Sequence, residues 1–219
     1  MRSCVPAAAQ RTITGEGGHP NRQPHQAAQP LAPWQPIQKL TPIVTTTPLT
    51  SDLLVIACSN GENLKLAERF AAQAQSQALQ AQVLDLTALD LPLFTPRALA
   101  AGAPFDLAAL QQKLAGATRW VICAPEYNGT IPPVLTSAIA WLSVQGDDFR
   151  ALFNGQPVAI ATHSGGGGHA VLAALRLQLA HLGAHVVGRQ LVSNNASPAK
   201  DESIADLIHR LRQLQPLQP

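Results

Sequence analysis

The feature that most constrains this chain is an alternation, from residue 53 onward, of short apolar runs with longer stretches of helical periodicity. Residues 53–58 (LLVIAC) form a continuous apolar run, which is typical of a parallel strand covered on both faces. A helix is predicted from about Asn63, because Leu66, Phe70 and Ala74 recur every four residues. Further strands are predicted at residues 83–86, 120–124, 157–162 and 185–189, and further helices at 105–114, 130–142, 172–182 and 198–213.

Local signals place the boundaries of several elements. Pro125 should end the third strand, because the residue before a proline is pushed toward extended geometry. Thr130 is predicted to cap the next helix, whose first turn tolerates Pro132. Pro92 and Pro96 are read as marks of a loop between the second strand and the next helix.

Five strand–helix units in series favour one architecture. Right-handed crossovers between successive strands require a parallel sheet with helices on both of its faces. The sequence therefore predicts an α/β doubly wound domain, to which we assign residues 51–219.

Residues 1–50 have a different composition, rich in Pro, Gln and Thr and without helical or strand periodicity. Such a segment buries too little apolar surface to offset the entropy of ordering, so a disordered N-terminal extension is predicted. Three interpretations stay open: a tail without function, an organellar targeting segment, and a start codon assigned too far upstream.

Charge and cysteine content exclude several classes of function. The first fifty residues carry four basic side chains and one acidic one, so the net charge of +2 leaves the remainder near −1. A near-neutral body without a basic stripe argues against a nucleic-acid partner. Three cysteines without CxxC or metal-ligand spacing indicate neither a disulfide framework nor a zinc site. No apolar run is long enough to span a bilayer, so we expect a cytoplasmic protein without a membrane partner.

Three loops after predicted strands one, three and four are unusual in composition. They read SNGEN at residues 59–63, PEYNG at 125–129 and HSGGGG at 163–168. In an open parallel sheet, ligands lie beyond the carboxyl ends of the strands, where the strand order reverses. The binding site is therefore expected where these loops meet.

The first loop is short and polar, and it has a glycine just before a helix. Free backbone amides at such a place can cradle a phosphate. An ordinary turn with Asn63 as the helix cap is an equally good interpretation of this loop alone. It matches neither a Walker loop nor a GxGxxG dinucleotide motif.

Residues 125–132 (PEYNGTIP), together with Trp141-Leu142-Ser143, resemble the signature of the NADPH-dependent FMN reductase family, part of the flavodoxin-like superfamily. The resemblance extends from residue 53 to about 190. It implies a flavodoxin-like five-stranded sheet in the order 2-1-3-4-5, with FMN as cofactor and NADPH or NADH as co-substrate. It also implies a homodimer or homotetramer that pairs through the helix after the second loop, with Trp141 and Leu142 helping to form the contact.

The resemblance and the loop chemistry together give the expected site. The second loop would contact the isoalloxazine edge and the first loop the phosphate. The glycine run is interpreted as backbone passing close to a flat ring. Glu62 must then point to solvent, away from the phosphate. The expected cofactor-binding residues are Ser59, Asn60, Gly61, Asn63, Pro125, Glu126, Tyr127, Asn128, Gly129, Ser164, Gly165 and Gly166.

No residue is expected to act as a catalytic acid or base, and none as a metal ligand. His163 and His169 are interpreted chiefly as solvated loop residues, and Cys58 and Cys123 as small apolar side chains of the core.

The predicted function is an NAD(P)H-dependent FMN reductase or quinone-reductase-type oxidoreductase. It would pass hydride through bound FMN to a small-molecule acceptor. The alternative is a non-catalytic electron carrier or flavin-sensing module, which the absence of an acidic patch disfavours. A hydrolase of similar architecture is disfavoured because no GxSxG motif exists.

Overall fold

The computed structural model describes residues 51–216, and its strands form one parallel sheet. The predicted disordered extension at residues 1–50 lies outside the described residues. The strands run in the order β2-β1-β3-β4-β5, which confirms the predicted order, and β6 also pairs with β4. Their bounds are β1 Leu53–Ala57, β2 Ala81–Asp85, β3 Trp120–Cys123, β4 Pro157–His163, β5 His185–Val186 and β6 Leu191–Ser193.

Helices cover both faces of the sheet, as the continuous apolar strands require. Side chains alternate between the two faces along each strand, so that Val55 and Ala57 pack on one side while Leu54 and Ile56 pack on the other. The helices are α1 Glu62–Ser76, α2 Pro96–Ala101, α3 Leu107–Ala115, α4 Pro133–Ser143, α5 His169–His181 and α6 Asp201–Arg212.

Each face has its own apolar core. Helices α1 and α6 pack against one face, where the predicted Leu66, Phe70 and Ala74 stripe is buried. Helices α3, α4 and α5 cover the other face. There Trp120 and Trp141 are fully buried, and their indole N–H groups donate to the carbonyl oxygens of Leu114 and Pro92 at 3.1 and 2.8 Å. The expectation that Trp141 and Leu142 form a contact between subunits is therefore wrong, since both complete the protein's own core.

Among the strands, the fifth differs most from its prediction, which was residues 185–189. It ends at Val186, and a second segment, β6, pairs with the carboxyl half of β4. At the break, the guanidinium of Arg176 in α5 donates to the Gly188 carbonyl and to the Gln190 side chain. The Gly188 carbonyl therefore bonds to a helix side chain, where a strand carbonyl would bond to the neighbouring strand.

Two smaller predictions are also wrong. Pro96 begins helix α2, because Thr95 caps it by accepting a hydrogen bond from the Ala98 N–H. Thr130 does not cap α4, whose N-cap is Pro132. No helix of the described part is long and apolar enough to cross a membrane.

Candidate functional site

The three unusual loops leave the same edge of the sheet. Strands β1, β3 and β4 are neighbours, and Ala57, Cys123 and Ala161 lie side by side in register near their carboxyl ends. The loops that follow therefore start next to one another, at the place where the strand order reverses.

The first loop has backbone N–H groups for which residues 51–216 provide no hydrogen-bond acceptor. Gly61 is the N-cap of α1 and supplies no side-chain cap. Its carbonyl accepts from Leu64 and Lys65, while the N–H groups of residues 60–63 have no acceptor within the described chain. A Cβ at Gly61 would meet nothing within 4 Å, so the loop faces open space. A row of free N–H groups at a helix start suits an anion such as phosphate.

Glu62 does not obstruct this row of donors. Its carboxylate forms an exposed ion pair with Lys65 at 2.7 Å, one turn further along α1. That hydrogen bond is the main cause that lowers the pKa of Glu62. The Glu62 charge is thus held toward solvent, which agrees with the prediction that it points away from the expected phosphate.

Asn63 has a different role from the one its position suggests. Its side chain is buried, its Oδ1 accepts from the His163 N–H at 2.8 Å, and its Nδ2 donates to the His163 carbonyl at 3.0 Å. Both polar atoms are therefore engaged with the end of β4. Asn63 can offer an anion only its backbone N–H, and its side chain joins the first loop to the third.

The second loop is a tight two-residue turn. Tyr127 and Thr130 exchange backbone hydrogen bonds at 3.2 and 3.0 Å across it. The central residues have positive φ angles, 51° at Asn128 and 72° at Gly129, which is the reason for an Asn-Gly pair there. The turn leaves the Tyr127 side chain 48% exposed beside the sheet edge, whereas Pro125 is buried.

Glu126 joins the second loop to the third. Its Oε2 accepts from the N–H groups of Ala170 and Val171 at 3.1 and 3.2 Å, in the first turn of α5. The N-cap of α5 is Gly168, which has no side chain to do this. A carboxylate at this position satisfies two free donors and interacts favourably with the helix dipole. Glu126 is therefore a cap for α5.

The glycine run forms the third side of the site. Ser164 is buried, and its Oγ accepts from the Gly166 N–H at 3.3 Å. A Cβ at Gly165 would meet nothing within 4 Å, so this backbone borders open space. Gly168 has φ 71°, and a Cβ there would lie 2.4 Å from the Thr162 methyl group. Gly168, more than Gly166, is the position that requires glycine.

A fourth segment, which sequence reasoning missed, also reaches this edge. Ser193 ends β6, and its Oγ lies 3.2 Å from the Thr162 carbonyl oxygen and 3.3 Å from His163 Nδ1. Asn195 Oδ1 lies 3.1 Å from His163 Nε2. The polar run at residues 193–195, directly after Leu191-Val192, is the sequence feature that could have indicated this segment. Because β6 was not predicted, there was no reason to expect that run beside His163.

The two cysteines next to the site are buried free thiols. Burial is the main cause that raises the pKa of both Cys58 and Cys123, so both remain protonated near neutral pH. Their side chains lie in the cores on opposite faces of the sheet. In the described part of the chain, no group of three or more His, Cys, Asp and Glu side chains could hold a metal ion.

The sequence matches a family model described as NADPH-dependent FMN reductase over residues 51–198, more than half of the chain. A search of curated proteins gives no match.

Similar solved structures share the fold. The flavoenzyme NAD(P)H:(acceptor) oxidoreductase FerB from Paracoccus denitrificans has a TM-score of 0.60 at 20% identity, over 74% of this chain and 98% of that one. An oxidoreductase from Corynebacterium diphtheriae has a TM-score of 0.59 at 19% identity, over 74% and 95%. The apo form of EMOB, an NADH:FMN oxidoreductase, gives 0.58 at 17% identity, over 78% and 92%.

Proposed function

This chain belongs to the NADPH-dependent FMN reductase family, and we propose that its FMN lies where the loops after β1, β3 and β4 meet. The observation that carries this assignment is the row of free N–H groups at residues 60–63, which suits the FMN phosphate. The flavin ring would then lie between the turn at residues 125–129 and the glycine backbone at 164–166.

The residues present fit such a cofactor. The first loop offers donors and no fixed negative charge, because Glu62 is paired with Lys65. The second and third loops are held in shape by the Tyr127–Thr130 bonds and by the Glu126 cap. Backbone fixed in this way suits a flat ring.

When bound between these loops, FMN would supply the hydride and electron-transfer chemistry between NADPH or NADH and the acceptor. The chain's own residues hold the ring in place and leave one side of the site open beside the exposed Tyr127. Glu126 and the Ser164 hydroxyl are both engaged in hydrogen bonds with backbone, so neither is placed as a free acid or base. Rate enhancement would come from positioning.

The acceptor is proposed to be a small molecule, with no nucleic-acid or membrane partner. This is supported by the near-neutral charge of residues 51–219. A cytoplasmic location is proposed because Cys58 and Cys123 are unpaired thiols, which suits a reducing compartment.

A homodimer or homotetramer is also proposed. Its support is the exposed apolar side chains of Val144 and Phe149, 38% and 45% exposed, just after the end of α4. Apolar groups of this size at one end of a helix suit burial against a second copy. Sedimentation that shows only monomer at micromolar concentration would contradict this.

The test of the function begins with the absorption spectrum of the purified protein and a titration with FMN. We expect a yellow protein, or strong quenching of FMN fluorescence on addition. Bleaching by NADPH or NADH, followed by multiple turnovers with a quinone, separates a reductase from an electron carrier. A colourless protein that leaves FMN fluorescence unchanged would overturn the assignment.

A further inference from the structure

A cleft of about 280 Å³ lies between β6 and the start of α6, outside the three loops assigned to FMN. Its lining includes two cations, Arg189 and Lys200, and two hydroxyls, Ser197 and Ser203, and it contains no Asp or Glu. Its volume is just below the roughly 300 to 1,000 Å³ typical of a pocket for a whole small-molecule ligand. The cleft therefore suits one anionic end of a larger ligand.

Lys200 supplies a positive charge that has no acidic partner in the described part of the chain. It is the N-cap of α6, it is exposed, and it forms no ion pair within residues 51–216. The next residue, Asp201, is bound by Arg69 of α1, and Glu202 does not line the cleft. An anion in the cleft would thus meet an ammonium group that is free to turn toward it.

Arg189 brings a second cation from the segment between β5 and β6. Its Nη1 pairs with Asp206 of α6, and the same carboxylate oxygen accepts from Arg210 Nε at 2.8 Å. One negative charge is therefore shared by two positive ones, and the three side chains together keep a net positive charge. The other N–H groups of the Arg189 guanidinium can donate to a further anion.

The edge of the sheet adds a backbone donor to the cleft. The Ser193 carbonyl accepts from the Ser164 N–H, and Leu191 and Ser193 pair in register with β4. Because successive residues of a strand turn their backbone groups to opposite sides, the N–H of Val192 faces away from β4, and Val192 lines the cleft. No strand of residues 51–216 pairs with β6 on that side. The Val192 N–H is thus available to a ligand.

The cleft is next to the site proposed for FMN. Val192, in its wall, is followed by Ser193 and Asn195, which contact the His163 ring. The backbone of His163 is joined to Asn63 at the first loop. From Val192 to Asn195 an extended chain covers at most about 11 Å. An extended dinucleotide is longer than this, so one that reacts at the flavin can reach the cleft with its adenosine end.

We propose that Arg189 and Lys200 bind the 2′-phosphate of NADPH, so that this cleft makes the protein prefer NADPH to NADH as hydride donor. The inference rests on the proposed function. The 2′-phosphate is the group by which NADPH differs from NADH, and a phosphate monoester carries about −1.5 to −2 charges at neutral pH. A nearby arginine accommodates this phosphate in other doubly wound folds. Here Arg189 would donate from its planar guanidinium, and Lys200 would act as a point charge.

The kinetic test compares Lys200→Gln with the unchanged protein in the reduction of a quinone at saturating FMN. We expect kcat/KM for NADPH to fall about fivefold and kcat/KM for NADH to stay the same, the scale of a partly exposed charge pair. Lys200→Arg keeps the charge and should keep the preference. Lys113→Gln is the control, because it removes an exposed lysine from the last turn of α3, on the other face of the sheet, and should change neither value.

A binding measurement tests the cleft without turnover. Adenosine 2′,5′-bisphosphate carries the 2′-phosphate, whereas 5′-AMP lacks it. By calorimetry, we expect the unchanged protein to bind the bisphosphate at least fivefold more tightly than 5′-AMP. This difference should shrink in Lys200→Gln and in high salt. Equal affinity for the two nucleotides, or an equal effect of Lys200→Gln on NADPH and NADH, would overturn the proposal.

The cleft and the proposed function fail in different ways. A protein that binds no FMN but prefers the bisphosphate would contradict the proposed function and support the cleft. A protein that binds FMN and is reduced equally well by NADPH and NADH would contradict the cleft alone. Arg189→Gln is a second variant in case Lys200→Gln does not fold. It should weaken the use of NADPH in the same way, since Asp206 keeps Arg210 as its partner.

Discussion

The first loop differs from the other two loops of the site in how its backbone is held. Residues 60–63 leave their backbone donors without acceptors in the described chain, and Gly61 provides no cap. In the second and third loops, Glu126 caps α5 and the Tyr127–Thr130 turn closes on itself. From this difference we predict that the first loop recognises the charge of the phosphate, whereas the other two loops recognise the shape of the ring. Changes of charge in the first loop and changes of backbone in the other two loops should therefore have separable effects on FMN binding and on stability.

The largest effect is expected at Gly168. Changing it to Val places a β-branched side chain at φ 71°, with its Cβ 2.4 Å from the Thr162 methyl group. We expect the free energy of unfolding to fall by about 2 to 4 kcal/mol and FMN binding to weaken with it. Chemical denaturation measures the first effect. Gly165→Ala, which meets open space, is the control, and an equal loss there would remove the distinction between the two glycines.

A negative charge in the first loop should act on the phosphate alone. Asn60 is exposed, so Asn60→Asp should leave stability within about 0.5 kcal/mol while weakening FMN binding by about five- to tenfold at low salt. Riboflavin affinity should hardly change, and added salt should reduce the effect on FMN. Asn60→Gln is the neutral control. Equal weakening of FMN and riboflavin would show that the loop does not bind the phosphate.

Removal of the Glu126 carboxylate tests the tie between the second and third loops. Glu126→Ala leaves the Ala170 and Val171 N–H groups without their acceptor and should cost about 1 kcal/mol, or a few degrees in Tm. Glu126→Gln keeps an oxygen acceptor and should recover part of the loss. If the alanine variant melts like the unchanged protein, the capping role of Glu126 is wrong.

The smallest effect is expected at Asn128. Its φ of 51° suits Asn or Gly, so Asn128→Ala should strain the turn by about 0.5 to 1 kcal/mol and weaken FMN binding a few-fold. Asn128→Gly should restore the turn. Single-turnover flavin bleaching by NADPH at saturating FMN should stay within a small factor of the unchanged protein. A thousandfold slower bleaching with normal FMN affinity would place Asn128 in the chemical step.

Periodicity was sufficient to predict the sheet because its central strands β1, β3 and β4 are buried almost throughout and therefore form continuous apolar runs. The short β6 could not be predicted, since a run of three residues is too short to show a period. Within the site, contacts between residues that are distant in sequence could not be predicted either.

The sequence predicted that the three loops meet at one edge of the sheet, but not which of their atoms are free. Glu126 and Asn63 were both expected at the cofactor. Their side chains instead bind backbone 44 and 100 residues further along the chain, and sequence spacing gives no sign of such partners. Whether their backbones contact FMN stays a prediction.

The Asn63 clamp also affects the order of events during synthesis. Its partner is the backbone at position 163, so these two hydrogen bonds cannot form until β4 has been made and has joined the sheet. A nascent chain that ends before β4 would have the residues of the first loop without this contact. Cofactor capture would then come late in folding and would stabilise only the completed sheet, by an amount that grows with the free FMN concentration. Flavin supply would thus set how much of the newly made protein persists.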